Sequence, residues 1–193
     1  MHSILRGVAV ASLIVTPVVA GAQTAAAPQR SPLWATLAVG RGDLQINCAI
    51  CRRNDQSSWA ADVTVGGWIN ARATLGGELG AWRLGGDDAT QRVMMLSGVS
   101  QLYPIEKVAA FVKLGVGIMG YRSTDGEQEL SARSLALQVG FGYDIPVKER
   151  YIVVPHVGLV QGFNNGLYLD GGKVTGAAQV KMMRFGVAVG VRR

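Results

Sequence analysis

Several groups of residues in this 193-residue chain have types and spacings that chemistry uses. Cys48 and Cys51, the only two cysteines, stand three apart in a polar stretch. That spacing suits a disulfide, a redox pair or half of a zinc site. Arg52 follows the second cysteine, so the haem-attachment pattern is absent, and zinc would need two further ligands. No βαβ pattern surrounds the pair, and in an exported chain the expectation is a disulfide that staples a loop. Gly115-Val116-Gly117-Ile118-Met119-Gly120 spells G-x-G-x-x-G. A dinucleotide fingerprint needs a strand before it and a helix opening at it. Here the glycines sit inside an alternating segment instead, and no nucleotide is implied.

Glu78, Lys113 and Arg184 are isolated charges among small and apolar residues, and with Asp62, Arg72 and Asp144 they compose a candidate network of interior charges. Burying one of them alone is costly, so each needs a partner or water. The reading is a structural ion-pair network; a proton path or solute gate is the alternative. His156 is flanked by Val154, Pro155, Val157 and Gly158. Acid–base work needs a positioned partner, and none is in the neighbouring sequence. Asn164-Asn165-Gly166 and Asp170-Gly171-Gly172 read as turn chemistry. No catalytic residue, metal ligand set or cofactor site is assigned.

The elements that must position these residues follow from period. Residues 1–22 read as a signal peptide: Arg6 in the n-region, an apolar run from Gly7 to Ala20, and Ala20-Gly21-Ala22 at the cleavage site. Residues 23–32 would be a periplasmic N-terminal segment, and 33–193 one barrel domain. No run of eighteen apolar residues follows Gln23, so no helical span is written there. Alternation with period two recurs instead. Leu135, Leu137, Val139, Phe141 and Tyr143 oppose Ser134, Ala136, Gln138, Gly140, Gly142 and Asp144. Val112, Leu114, Val116 and Ile118 oppose Phe111, Lys113, Gly115, Gly117 and Met119. Phe185, Val187, Val189 and Val191 oppose Arg184, Gly186, Ala188 and Gly190. Further strands are expected at about 33–46, 58–69, 71–84, 91–104 and 151–162, the last two without a definable phase.

One face of each clear strand is aliphatic; the other is mostly Gly, Ala, Ser and Thr with sparse charges. A soluble sandwich would carry a richly charged outer face. Small residues and mixed charges suit the interior of a narrow barrel, and the aliphatic face suits lipid. The expected fold is all-β, an eight-stranded antiparallel up-and-down transmembrane β-barrel after the signal peptide. Tight periplasmic turns near Asn70, Ile105–Lys107 and Pro146–Arg150 would alternate with longer outer loops at 47–57, 85–90, 123–130 and 163–178. Trp34, Trp68, Tyr103, Tyr143 and Tyr151 would form one aromatic girdle, and Trp59, Trp82 and Tyr121 the other. The net charge of +6 is unclustered, which argues against nucleic acid as a partner.

The whole mature chain resembles small outer-membrane barrels of the opacity-protein and outer membrane protein A-like type. Within these it is similar to a group of bacterial barrels with a C-x-x-C after the first strand. Leu33-Trp34, Gly40-Arg41-Gly42, Cys48-Ala49-Ile50-Cys51, Gly77-Glu78, Trp82, Leu102-Tyr103-Pro104 and Lys113-Leu114-Gly115-Val116-Gly117 carry the resemblance. The last strand also resembles the C-terminal signal read by the outer-membrane assembly machinery, with Arg184, Gly186, Val189 and Val191 at its defined positions. It departs in continuing to Arg192-Arg193 where an aromatic commonly ends such chains. The resemblance implies the outer membrane, its lipids and that machinery as partners, and supplies no activity. With no catalytic constellation among the residues, the expectation is a non-enzymatic monomer serving envelope structure, surface interaction or weak solute passage through a filled or narrow lumen. An outer-leaflet lipid-modifying enzyme and a soluble periplasmic barrel binding an apolar ligand are the rival expectations.

Overall fold

A computed structural model describes residues 33–48, 54–86, 89–105, 107–125 and 128–192. The signal peptide and Cys51 lie outside the described residues. Nine strands follow in order: β1 (Leu33–Cys48), β2 (Asn54–Asn70), β3 (Ala73–Gly85), β4 (Thr90–Leu102) and β5 (Ala110–Asp125). They continue as β6 (Gln128–Tyr143), β7 (Ile145–Lys148), β8 (Tyr151–Leu169) and β9 (Gly172–Arg192). Each long strand pairs antiparallel with its sequence neighbour, β9 returns to β1, and β6 pairs with β8. Short β7 prolongs β6 past Asp144 against the start of β8. The eight long strands therefore close into an up-and-down barrel with no free edge.

Alternation decides which way each residue points. Leu135, Leu137, Val139 and Phe141 face outward, as do Leu114, Val116, Val187 and Val189, while Gln138, Lys113 and Arg184 face inward. The outer wall is an aliphatic belt that water would not tolerate, and backbone at that depth is satisfied by the closed ladder. The phases missing from sequence are now defined. Val93, Met95, Ser97, Val99 and Gln101 of β4 point inward, as do Ile152, Val154 and Val160 of β8.

The eight long strands run 13 to 21 residues, beyond the roughly 9–11 that a tilted strand needs to cross a bilayer. Two expected loops are in large part strand. Residues 123–130 belong to the β5–β6 hairpin, paired out to Asp125↔Gln128. Residues 163–178 form the β8–β9 hairpin, turned by Asp170 and Gly171 at φ of 46° and 83°. Positive φ at both central residues is the I′ geometry that suits strand twist, which is why Asp-Gly stands there. Asn164-Asn165-Gly166, by contrast, is no turn. It lies at a bulge in β8, where Phe163 and Gly166 oppose Leu135 and Arg133. The extra residue reverses the alternation, so that Leu167 points inward although Phe163 points out.

The girdles also differ from expectation. Trp34, Trp82, Tyr103 and Tyr121 are buried inside the barrel, and half-buried Trp68 packs there with Tyr103. Tyr143 and Tyr151 remain outside near one rim and Trp59 near the other, the last 71% exposed. Strand parity outranks depth: Trp82 shares the face of Thr74 and Glu78, opposite Leu75 and Leu79.

Candidate functional site: a charged layer across the lumen

The interior is built in three layers. In the outer half Leu44, Trp82, Val93, Met95, Met119, Tyr121, Val160, Val180 and Met182 pack into an apolar plug. Gly42 makes room for Trp82: a Cβ there would sit 2.7 Å from the indole Cδ1, and the indole Nε1 donates to the Gly42 carbonyl at 2.7 Å. In the inner half Tyr103, Phe111, Ile152 and Val154 form a second cluster, with Trp68 and Tyr103 ring centroids 4.9 Å apart.

Between the two lies the charged layer. Glu78 of β3 is 1% exposed. Its Oε1 accepts from Arg184 Nη2 of β9 at 3.0 Å; its Oε2 accepts from Thr64 Oγ1 of β2 at 3.1 Å and pairs with Lys113 Nζ of β5. Arg184 Nη2 also donates to Gln138 Oε1 at 2.9 Å, and Gln138 Nε2 donates to Ser97 Oγ at 3.1 Å. Arg184 Nη1 reaches Asp62 Oδ2 at 3.5 Å. Two carboxylates meet two cations, so the layer is neutral within itself. An eight-stranded barrel leaves an interior only wide enough for side chains, and here they occupy it.

The expected charge network thus divides. Asp62, Glu78, Lys113 and Arg184 come together. Asp144 stands apart toward the inner rim, its Oδ2 accepting from Tyr103 OH at 2.8 Å. Arg72 sits in the exposed turn between β2 and β3, where its backbone N–H donates to Asn70 Oδ1 at 2.8 Å. Thr64, Ser97 and Gln138 were not among the expected network members. Gln138 had a signal, being the one long polar side chain on the inner face of its strand; Ser97 had none, because the phase of β4 was undefined.

Beneath the layer a cavity of about 40 Å³ reaches from Lys113, Gln138 and Arg184 toward Trp34 and Asp144. At roughly 10–15 Å³ per water it has space for a few molecules. His156 lines it, its Nδ1 3.4 Å from the Val154 carbonyl oxygen. Among the described residues no group of three or more His, Cys, Asp or Glu is placed to hold a metal. The G-x-G-x-x-G stretch lies wholly within strand β5. Gly115 faces the Gln138 side chain and Gly117 faces Ser97, so small residues there leave room for the layer. On β9, Arg184 points inward while Val189 and Val191 point outward, and Gly186 lies opposite Gly40 of β1.

A closed eight-stranded barrel with an aliphatic outer belt is the architecture of small outer-membrane β-barrel proteins. Solved structures of the same fold agree. Neisserial surface protein A aligns with a TM-score of 0.56 at 10% identity, covering 83% of this chain and 97% of that one. Ail, the attachment invasion locus protein of Yersinia pestis, aligns at 0.50 and 12% identity over 81% and 97%. AlkL, an outer membrane protein solved in lipid bilayers, aligns at 0.50 and 14% identity over 90% and 95%. At such identities the likeness is one of fold. No family model and no curated protein matches the sequence.

Proposed function

We infer that this protein is a non-enzymatic outer-membrane barrel with a sealed lumen, working through its outer surface rather than as a channel. The observation that carries the reading is the neutral Asp62–Arg184–Glu78–Lys113 layer lying directly under the apolar plug around Trp82. A cation or anion pathway needs a surplus of one charge and continuous water. Here the charges cancel, and the cavity beneath is bounded by the layer and touches none of the plug side chains. The long outer hairpins, reaching past bilayer depth, are the part of the molecule offered to the environment. Assembly through the β9 signal, a monomeric state and a Cys48–Cys51 disulfide across the first outer connection belong to the same reading. Alkylation mass spectrometry of protein from an oxidising envelope tests the disulfide.

Planar-bilayer recording of the folded full chain tests the function. The expected result is no steady conductance; stable single-channel openings would replace the sealed barrel with a pore.

A further inference from the structure

The outer edge of the aliphatic belt is marked by cations in a pattern that only the register reveals. On six of the eight long strands, the outward residue at or just past the last aliphatic one is basic. These are Arg41 on β1, Arg83 on β3, Arg92 on β4, Arg122 on β5, Arg133 on β6 and Lys181 on β9, all exposed. Three of the arginines stand side by side: Arg83 is directly opposite Arg92, and Arg92 directly opposite Arg122. Arg133 adjoins them on the next strand, one pair inward, opposite Gly120. Trp59, opposite both Arg41 and Arg83, continues the row. At the opposite edge the outward positions described on the long strands are Leu33, Ile69, Leu102, Tyr143 and Tyr151, and the basic Lys148 and Arg150 lie only on short β7 and the turn after it.

Like charges directly opposite each other in a ladder destabilise it. Arg122 is offset by Glu129 at 3.2 Å, and Arg41 donates to Ser57 Oγ. Arg83, Arg92 and Arg133 have no side-chain partner among the described residues; Asp87 and Asp88 of the adjacent connection lie outside them. Repulsion of this kind is tolerated where an anion sits between the cations. The depth of the row says which anion: these guanidinium groups begin where hydrocarbon contact ends, at the level of lipid headgroups. Guanidinium presents paired donors that match phosphate oxygens, and five of the six cations are arginine.

We propose that Arg83, Arg92 and Arg122, flanked by Arg133 and Trp59, form a binding surface for the phosphate groups of outer-leaflet lipid headgroups. Two neighbouring guanidinium groups grip one phosphate, the exposed indole lies at the interface beside it, and the barrel acquires a fixed lipid contact on its β3–β6 side. The proposal rests on the outer-membrane reading, and its test separates the two. A chain that fails to fold into vesicles at all would sink that reading, whereas the lipid comparison is made only on folded protein.

The full chain is folded in detergent, supplied with a bisphosphorylated lipid A, and examined by native mass spectrometry. A heat-shift gel confirms folding for every variant. Arg83→Gln/Arg92→Gln/Arg122→Gln is compared with Lys148→Gln/Arg150→Gln at the other rim. We expect retained lipid in the wild type and the rim variant, and binding weakened at least about tenfold in the triple variant, as loss of one charge-assisted contact gives. A triple lysine variant, which keeps charge but not the paired donors, should fall between. Equal retention in the triple variant overturns the proposal. So does equal loss in the rim variant, or displacement of the lipid by inorganic phosphate at matched concentration, which would mark a site for the free ion.

Discussion

Arg184 of β9 and Glu78 of β3 meet across the lumen at 3.0 Å, 106 residues apart in sequence. The pair joins the last strand to the first half of the barrel, and it forms only when β9 has closed onto β1. Each partner is buried, so neither keeps a full hydration shell, and removing Glu78 leaves Lys113 and Arg184 facing Asp62 alone, an uncompensated positive charge in the layer.

Glu78→Ala should therefore destabilise the folded barrel by on the order of 3–5 kcal/mol, the cost of orphaning a buried charge. Glu149→Ala, in the exposed turn before β8, should change stability by less than about 0.5 kcal/mol. Urea unfolding in lipid vesicles, followed by tryptophan emission, measures both. Equal effects would mean that Glu78 is solvated.

Trp82 closes the plug, and Gly42 makes its place. Gly42→Val should drive the indole out of its slot and cost about 1–3 kcal/mol by overpacking. Trp82→Ala should cost about 3–5 kcal/mol and leave a void in the outer half of the lumen. If the plug is what seals the barrel, Trp82→Ala raises bilayer conductance above the wild-type baseline and Leu135→Ala, on the lipid face, does not.

Single-tryptophan variants should sort by orientation. Trp59, 71% exposed, should be quenched by brominated lipid. Trp34 and Trp82, buried inside, should be quenched far less although Trp34 lies within the depth of the belt. Strong quenching of Trp34 would return it to the lipid-facing girdle.

Gly171 carries a φ of 83° in the turn of the β8–β9 hairpin. Gly171→Val should destabilise by about 1–2 kcal/mol or more, because a β-branched residue is strained there. Gly172→Val, which begins β9 outside that region, should cost less than half as much. Thermal unfolding of the two variants in one detergent decides it.

The architecture was legible in the sequence because alternation is a local property. In Leu135 to Phe141 the side-chain period is two whatever the strand pairs with, and an aliphatic face opposed to a small, sparsely charged one implies lipid outside and packing within. Hence strand number, closure and the inward direction of Glu78, Lys113 and Arg184 could be read before any coordinate. Asp170-Gly171 was equally local, since the turn needs positive φ at two adjacent residues. Where both faces were apolar, as in β4 and β8, parity gave no signal, and the inward-facing Met95, Ser97 and Val160 were invisible.

What the sequence alone determined is thus the wall of the barrel. What only the tertiary structure decided is which residues share a level across it, because register and closure set that, and they depend on strands far apart in the chain. Register made a neutral layer of Asp62, Glu78, Lys113 and Arg184 and left Asp144 and Arg72 nearer the rim. It also brought Arg83, Arg92 and Arg122 side by side at the edge of the belt, from three different strands.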